Sequence, residues 1–168
     1  MRAHRGCMES MQSDGVVAVH GVLTDLHQVD FYVLGVAGAI NRLTLPLRER
    51  GVAVRMETPH HGMEVNRDSA LLLYRAAQEL LSNIHKFAEA SAVTVRLCCV
   101  CKTGASHGVQ LQVSDDGVGF DALTVSHGRH TGMGLQLMRL AVDAAGGGVT
   151  VLSSASEGTC VTVTLPLD

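Results

Sequence analysis

Asp115 closes an alternating apolar run, Gly108-Val109-Gln110-Leu111-Gln112-Val113-Ser114, and the stretch Asp116-Gly117-Val118-Gly119-Phe120-Asp121 follows it directly. The alternation is that of a half-buried strand, so Asp115 is expected at a strand end. An ionised aspartate only accepts hydrogen bonds, and in a pocket it would seek a donor such as an adenine amino group. Gly117 and Gly119 let the backbone turn sharply and let a ligand come close. No Lys-Ser or Lys-Thr pair follows these glycines, which excludes a P-loop. The GxGxxG spacing of a dinucleotide fingerprint is absent as well. Read alone, Asp116-Gly117 is equally a hairpin turn.

A second set of polar groups lies upstream, on the run Leu71 to Ala88. Leu73, Ala76, Ala77, Leu80, Ile84, Phe87 and Ala88 follow the helical period, and Asp68-Ser69 supplies an N-cap signal. Arg75, Glu79, Asn83 and Lys86 then share one stripe of that helix. A solvated face with an Arg-Glu pair would look the same. Asparagine is a poor residue inside a helix, however, and asks for a reason. An amide oxygen between a carboxylate and an ammonium suits a hydrated magnesium ion carrying phosphates. Downstream, Gly132 and Gly134 stand at a predicted helix start. Leu135, Met138 and Val142 form its apolar face and Gly146-Gly147-Gly148 its end. Free N–H groups at such a start form a phosphate seat. Gly158-Thr159 leads the strand Cys160 to Pro166, and alone it reads as a turn.

In this order and at these intervals, the four segments resemble the ATP-binding domain of histidine kinases. That superfamily includes gyrase B, MutL and the heat-shock ATPase chaperones. Glu79-x-x-x-Asn83-x-x-Lys86 looks like the N box and Asp115-x-Gly117-x-Gly119 like the first glycine box. Gly132-x-Gly134-Leu135 looks like the second glycine box and Gly158-Thr159 like the last. The nitrate-sensor-like kinases are the most similar subfamily. Tyr74-Arg75, Gln78-Glu79-Leu80-Leu81-Ser82-Asn83, Ser153-Ser154 and Glu157-Gly158-Thr159 carry that resemblance. The chain departs from the subfamily at Phe87, where a histidine usually follows the lysine.

The resemblance implies ATP and Mg2+ as ligands. Asp115 would read the adenine amino group, Thr159 would support the base pocket, and Asn83 would hold magnesium. Lys86 would contact the phosphates, while Gly117, Gly119, Gly132, Gly134 and Leu135 would line the nucleotide. Glu79 has a counterpart that activates water in hydrolytic members, whereas kinases attack with a histidine. Residues 121–131, with His127, Arg129 and His130, would form a lid. The run Leu26 to Ile40 looks like the end of a dimerisation helix. This divides the chain into a tail and linker helix (1–50) and an ATPase domain (51–168). None of the nine histidines is followed by an acidic residue, so the phosphoacceptor motif is missing and His27 reads as a linker-helix residue. The implied partners are a histidine-containing dimerisation domain, in trans or in a missing segment, and a response regulator. The chain is then a fragment or one half of a split kinase, inactive in isolation. An anti-sigma-factor-like serine kinase and a non-catalytic ATP-binding module are the competing readings.

Composition agrees with a globular domain. The chain has 168 residues and a net charge of −3 with 13 Lys and Arg, which provides no basic stripe for nucleic acid. An aromatic content of 3% also leaves no base-stacking platform. No apolar run reaches spanning length and no signal core follows the N-terminus, so membrane contact is not expected and a cytoplasmic location is. Five cysteines, an odd number, fit reduced thiols. Within Cys98-Cys99-Val100-Cys101 only Cys99 and Cys101 could converge, no CxxC exists, and buried small hydrophobes are expected there. The expected architecture is an α/β two-layer sandwich. Its mixed, largely antiparallel sheet carries helices on one face. Its elements are a helix from Leu26 to Arg50, a strand at Val52–Met56, the long helix, a hairpin (Ser91–Lys102 with Val109–Ser114), a short helix and a final hairpin (Val149–Ser153 with Cys160–Leu165).

Overall fold

Residues 31–59, 65–101, 107–120 and 133–167 are described by a computed structural model of the protein. The alternating runs form five strands: β1 (Ala53–Glu57), β2 (Ala92–Cys101), β3 (His107–Asp115), β4 (Gly148–Ser154) and β5 (Gly158–Leu167). They lie in one sheet of order β1-β2-β3-β5-β4. β1 and β2 are parallel and every other neighbouring pair is antiparallel. The mixed sheet expected from the sequence is therefore the one observed. The parallel pair arises because the long helix lies between β1 and β2 in sequence and carries the chain back to the starting end.

Helices α1 (Phe31–Leu43), α2 (Leu45–Glu49), α3 (Arg67–Asn83) and α4 (Met133–Ala144) supply the second layer. The period-2 alternation decides which sheet face they cover. Val93, Val95, Leu97, Val109, Leu111, Val113, Val161, Val163 and Leu165 are all buried. Against them pack Leu73, Ala76, Ala77, Leu80 and Leu81 of α3 and Leu135, Met138 and Val142 of α4. The opposite sheet face is polar, and Gln110 and Gln112 donate to Thr164 (3.2 Å) and Thr162 (3.5 Å) across the β3–β5 pair.

The helix expected from Leu26 to Arg50 is two helices where it is described. Thr44 is buried at the break, with its hydroxyl donating to Asn41 O at 2.7 Å, and Pro46 follows in the first turn of α2. Proline has no N–H to give and fits that position. Val36, Ile40 and Leu47 join the common core from this segment. The helix expected to run unbroken to Ala88 changes at Ile84 into a π-turn, Ile84–Ala88, which ends at the left-handed Glu89. π-turns tend to fall at functional sites. Cys99 departs from the buried-cysteine expectation. β1 ends at Glu57, opposite Arg96, so β2 beyond that pair is an edge and Cys99 is exposed.

The start of α3 also differs from the sequence reading. Asn66, not Asp68-Ser69, is the N-cap: its side-chain oxygen accepts from Ser69 N at 2.8 Å. Asp68 sits inside the first turn, where a carboxylate favours the positive helix end. Asn66→Ala should therefore cost about 1 kcal/mol of stability. Urea denaturation of the two proteins would measure it.

Candidate functional site

Register brings the site together at one end of the sheet. Asp115 lies opposite Thr159, and Thr159 lies opposite Ser153, so the three form a row across β3, β5 and β4. By alternation they share the sheet face of the buried Val113 and Val161 and the partly buried Val151, which the helices cover. The hairpin that Asp116-Gly117 could have formed does not occur. β3 pairs next with β5, and the chain leaves the sheet after Asp115.

The glycines show why. A β-carbon on Gly117 would strike the carbonyl of Ala88, at the end of the π-turn. Val118 N donates to that same carbonyl at 2.8 Å. On Gly119, which has φ 60°, a β-carbon would strike Ser154 O, and on Gly158, with φ 80°, it would strike Asp115 O. Ser156 N closes the arrangement by donating to Val118 O at 2.7 Å. The segment after β3 is thus threaded between the end of the long helix and the β4–β5 turn, with main chain against main chain on both sides.

On the helix layer, Glu79 and Asn83 lie one turn apart and Asn83 Nδ2 donates to Glu79 Oε1 at 3.2 Å. That bond uses the amide nitrogen of Asn83 and not its amide oxygen. Gly134, at the start of α4, faces the same pair: a β-carbon there would fall on the Glu79 carboxylate. The structure therefore joins Glu79, Asn83 and Gly134 in one cluster and Asp115, Gly117, Gly119 and Thr159 in another. Lys86 sits exposed on the π-turn, and Arg50 donates to the carbonyl of the preceding His85 at 2.8 Å. Leu135 is buried in the core beneath α4. Gly132, the 121–131 segment and His27 lie outside the described residues. Among the described residues no cluster of His, Cys, Asp and Glu could hold a metal ion by itself. An Mg2+ site would need the oxygens of a bound phosphate as well.

The two adjacent aspartates face different surroundings. Burial pushes the Asp115 carboxyl above its ordinary value, while the N–H groups of Gly117 and Thr159 pull it down and Asp116 adds a small upward push. Gly117 N reaches Asp115 Oδ1 at 2.9 Å. Asp116 turns outward and clamps the start of β2, accepting from the hydroxyl of Ser91 and from Ser91 N and Ala92 N, both at 2.8 Å. These bonds, the Ser91 hydroxyl first, hold Asp116 below its ordinary value. Sequence reasoning missed the clamp, because Ser91 and Ala92 lie 25 and 24 positions away in the chain. Ser153 was quoted only as part of a run, because its place beside Thr159 depends on the length of the β4–β5 turn. A depressed native pKa contributes stability above the unfolded value and loses it as pH falls. At neutral pH the wild type should accordingly resist urea better than Asp116→Asn. That difference should shrink as pH falls below the ordinary 3.8 and through the lowered native value, and denaturation curves across this range check it.

Comparison with known proteins places this geometry. The sensor histidine kinase MctS of Rhizobium johnstonii is 26% identical, the match covering 90% of this chain and 33% of that protein. The signal transduction histidine-protein kinase/phosphatase UhpB of Salmonella typhimurium is 33% identical, over 89% of this chain and 28% of its own length. This chain spans a third or less of both. In three dimensions it shares its fold with the histidine kinase domain of the blue-light activated histidine kinase from Erythrobacter litoralis. There the TM-score is 0.64 at 18% identity, covering 93% of this chain and 76% of that one. The family model described as histidine kinase-, DNA gyrase B- and HSP90-like ATPase matches residues 68–168, which contain every box but its preceding helices. The chain belongs to that family, and its domain is the ATP-binding domain in the form that histidine kinases carry.

Proposed function

We propose that this protein supplies the catalytic half of a sensor histidine kinase, transferring the γ-phosphoryl group of ATP to a histidine on a partner or on another segment. The reading is carried by two clusters, Glu79–Asn83–Gly134 on the helix layer and the row of Asp115 and Thr159 at the sheet end, tied by the contact of Gly117 with Ala88 at the end of the π-turn. Asp115 accepts from the amino group of the base, held in place by the N–H of Gly117. Thr159 supports the same pocket. Gly117, Gly119, Gly132 and Gly134 admit the nucleotide close to the backbone, and Lys86 reaches the phosphates from the π-turn.

The amide oxygen of Asn83 beside the Glu79 carboxylate fits an Mg2+ ion that also holds phosphate oxygens. When bound, that ion would neutralise charge building on the transferring group. Glu79 orients Asn83 through their hydrogen bond, a positioning task compatible with attack by a histidine in place of water. Residues ahead of Gly51 form the end of a dimerisation helix and its link. A histidine-bearing helix docks beside them, and a response regulator receives the phosphoryl group afterwards. The kinase reading assigns this part of the protein to the cytoplasm; separately, among the described residues no helix is long and apolar enough to cross a membrane.

Phosphoryl transfer works by holding the acceptor in line with the γ-phosphate. None of the nine histidines here is followed by an acidic residue, so the isolated chain should not label itself efficiently. Adding a domain that carries a phosphoacceptor histidine helix, with Mg-ATP, should place acid-labile label on that domain. Rapid acid-labile labelling of the isolated chain at any histidine would overturn this reading. Asp115→Asn keeps the shape but turns one acceptor into a donor. It should weaken ATP binding by about 1.5–3 kcal/mol, and calorimetry showing unchanged affinity in a folded variant would reject the role of Asp115.

A further inference from the structure

Ser153 sits on β4 at the position opposite Thr159, on the same sheet face as Asp115. Its hydroxyl has three partners. Phe120 N reaches Ser153 Oγ at 2.9 Å, Ser153 Oγ reaches Gly158 O at 3.1 Å, and Thr159 Oγ1 lies 2.9 Å away. Counting protons assigns each bond. A backbone N–H can only donate, so Phe120 occupies one lone pair of Ser153. A carbonyl can only accept, so the contact with Gly158 draws on the single proton of Ser153. With that proton on Gly158 O, the contact between the two hydroxyls uses the proton of Thr159.

Thr159 is therefore left with lone pairs and no free proton. Asp115, beside it, is an acceptor too, and the N–H of Thr159 is already engaged by the Asp115 carboxylate. Between them, the side chains of Asp115 and Thr159 consequently present two acceptor oxygens and no donor. An exocyclic amino group carries two N–H bonds and meets that pair well. A carbonyl at the same position of the base would face oxygen on both sides.

We infer that Ser153 is a specificity-determining residue: by accepting the proton of Thr159 it makes the Asp115–Thr159 pair acceptor-only and so selects a 6-amino over a 6-oxo purine nucleotide. This rests on the reading of Asp115 and Thr159 as the base contacts. Ser153 is a positioning residue, because it acts through Thr159. With Ser153 gone, the Thr159 hydroxyl is free to rotate and donate to a carbonyl.

The test measures ADP against inosine diphosphate, which replaces the 6-amino group by an oxygen and carries a proton on N1, on the full chain by calorimetry. The wild type should prefer ADP. In Ser153→Ala that preference should fall by about tenfold, the scale of one neutral hydrogen bond gained on one ligand and lost on the other. Ser153→Cys keeps the volume with only a weak hydrogen bond and should move the ratio the same way, which covers the case of an unstable alanine variant. Ser153→Thr should restore it. In a Thr159→Val background, Ser153→Ala should no longer change the ratio, since the residue it acts through is gone. An unchanged ADP-to-inosine-diphosphate ratio in folded Ser153→Ala or Ser153→Cys, or a change that persists without the Thr159 hydroxyl, would overturn the inference. A wild-type chain that fails to bind ADP would instead reject the nucleotide-site reading itself, an outcome distinct from normal ADP binding with an unmoved ratio.

Discussion

At the end of β3, main chain lies against main chain with no room for a β-carbon between. Gly117 meets Ala88, Gly119 meets Ser154, and Gly158 meets Asp115. Each contact fixes one segment relative to another: the long helix, the β4–β5 turn, and the strand that ends in Asp115. A methyl group forced into a single such contact costs about 1–3 kcal/mol by overpacking alone. At Gly119 and Gly158 the positive φ adds a backbone penalty for any side chain. The separation of the polar groups on the helix layer from those on the sheet is set by this packing, and the chemistry inherits its geometry.

Within that frame two neighbouring carboxylates take opposite tasks. Asp116 is a structural group, fully supplied with donors from Ser91 and Ala92 and held low in pKa by them. Asp115 is half-buried and carries fewer donors than its oxygens can accept. A carboxylate kept short of partners in a partly desolvated place retains capacity for a ligand. The outward clamp also pins the start of β2 to the end of β3, so the residue that binds and the residue that braces are adjacent in sequence.

Much of this was legible beforehand for identifiable reasons. Alternation in Gly108–Ser114 and Cys160–Leu165 gave the strands and, through them, the sheet face. The stripe of Glu79 and Asn83 followed from a spacing of one helical turn. What stayed hidden depends on register or on atoms far apart in the chain. The proton of Thr159 is committed only because Ser153 falls opposite it in the β4–β5 pair. The bond from Arg50 to His85 O joins residues 35 positions apart and leaves no local trace. The π-turn is equally invisible, since Ile84-His85-Lys86-Phe87-Ala88 keeps an acceptable α-helical pattern. Asn66 as N-cap lost to Asp68-Ser69 in the sequence reading because both offer short polar side chains near the right place.

One feature of the sheet bears on how this domain can be divided. The family match begins at residue 68, yet β1 ends at Glu57 and α1 and α2 lie earlier still. A polypeptide trimmed to the match would keep Glu79, Asn83, Asp115, Gly134 and Thr159 while losing the parallel partner of β2. The N–H and C=O groups of β2 along Ala92–Arg96 would then stand open, a template for the edge of another molecule. The loss of Val36, Ile40 and Leu47 would at the same time uncover apolar surface. Such a fragment would hold the chemical groups of the domain and behave as an aggregating protein. The stretch ahead of the match thus covers the strand edge and the apolar surface that the boxes leave bare.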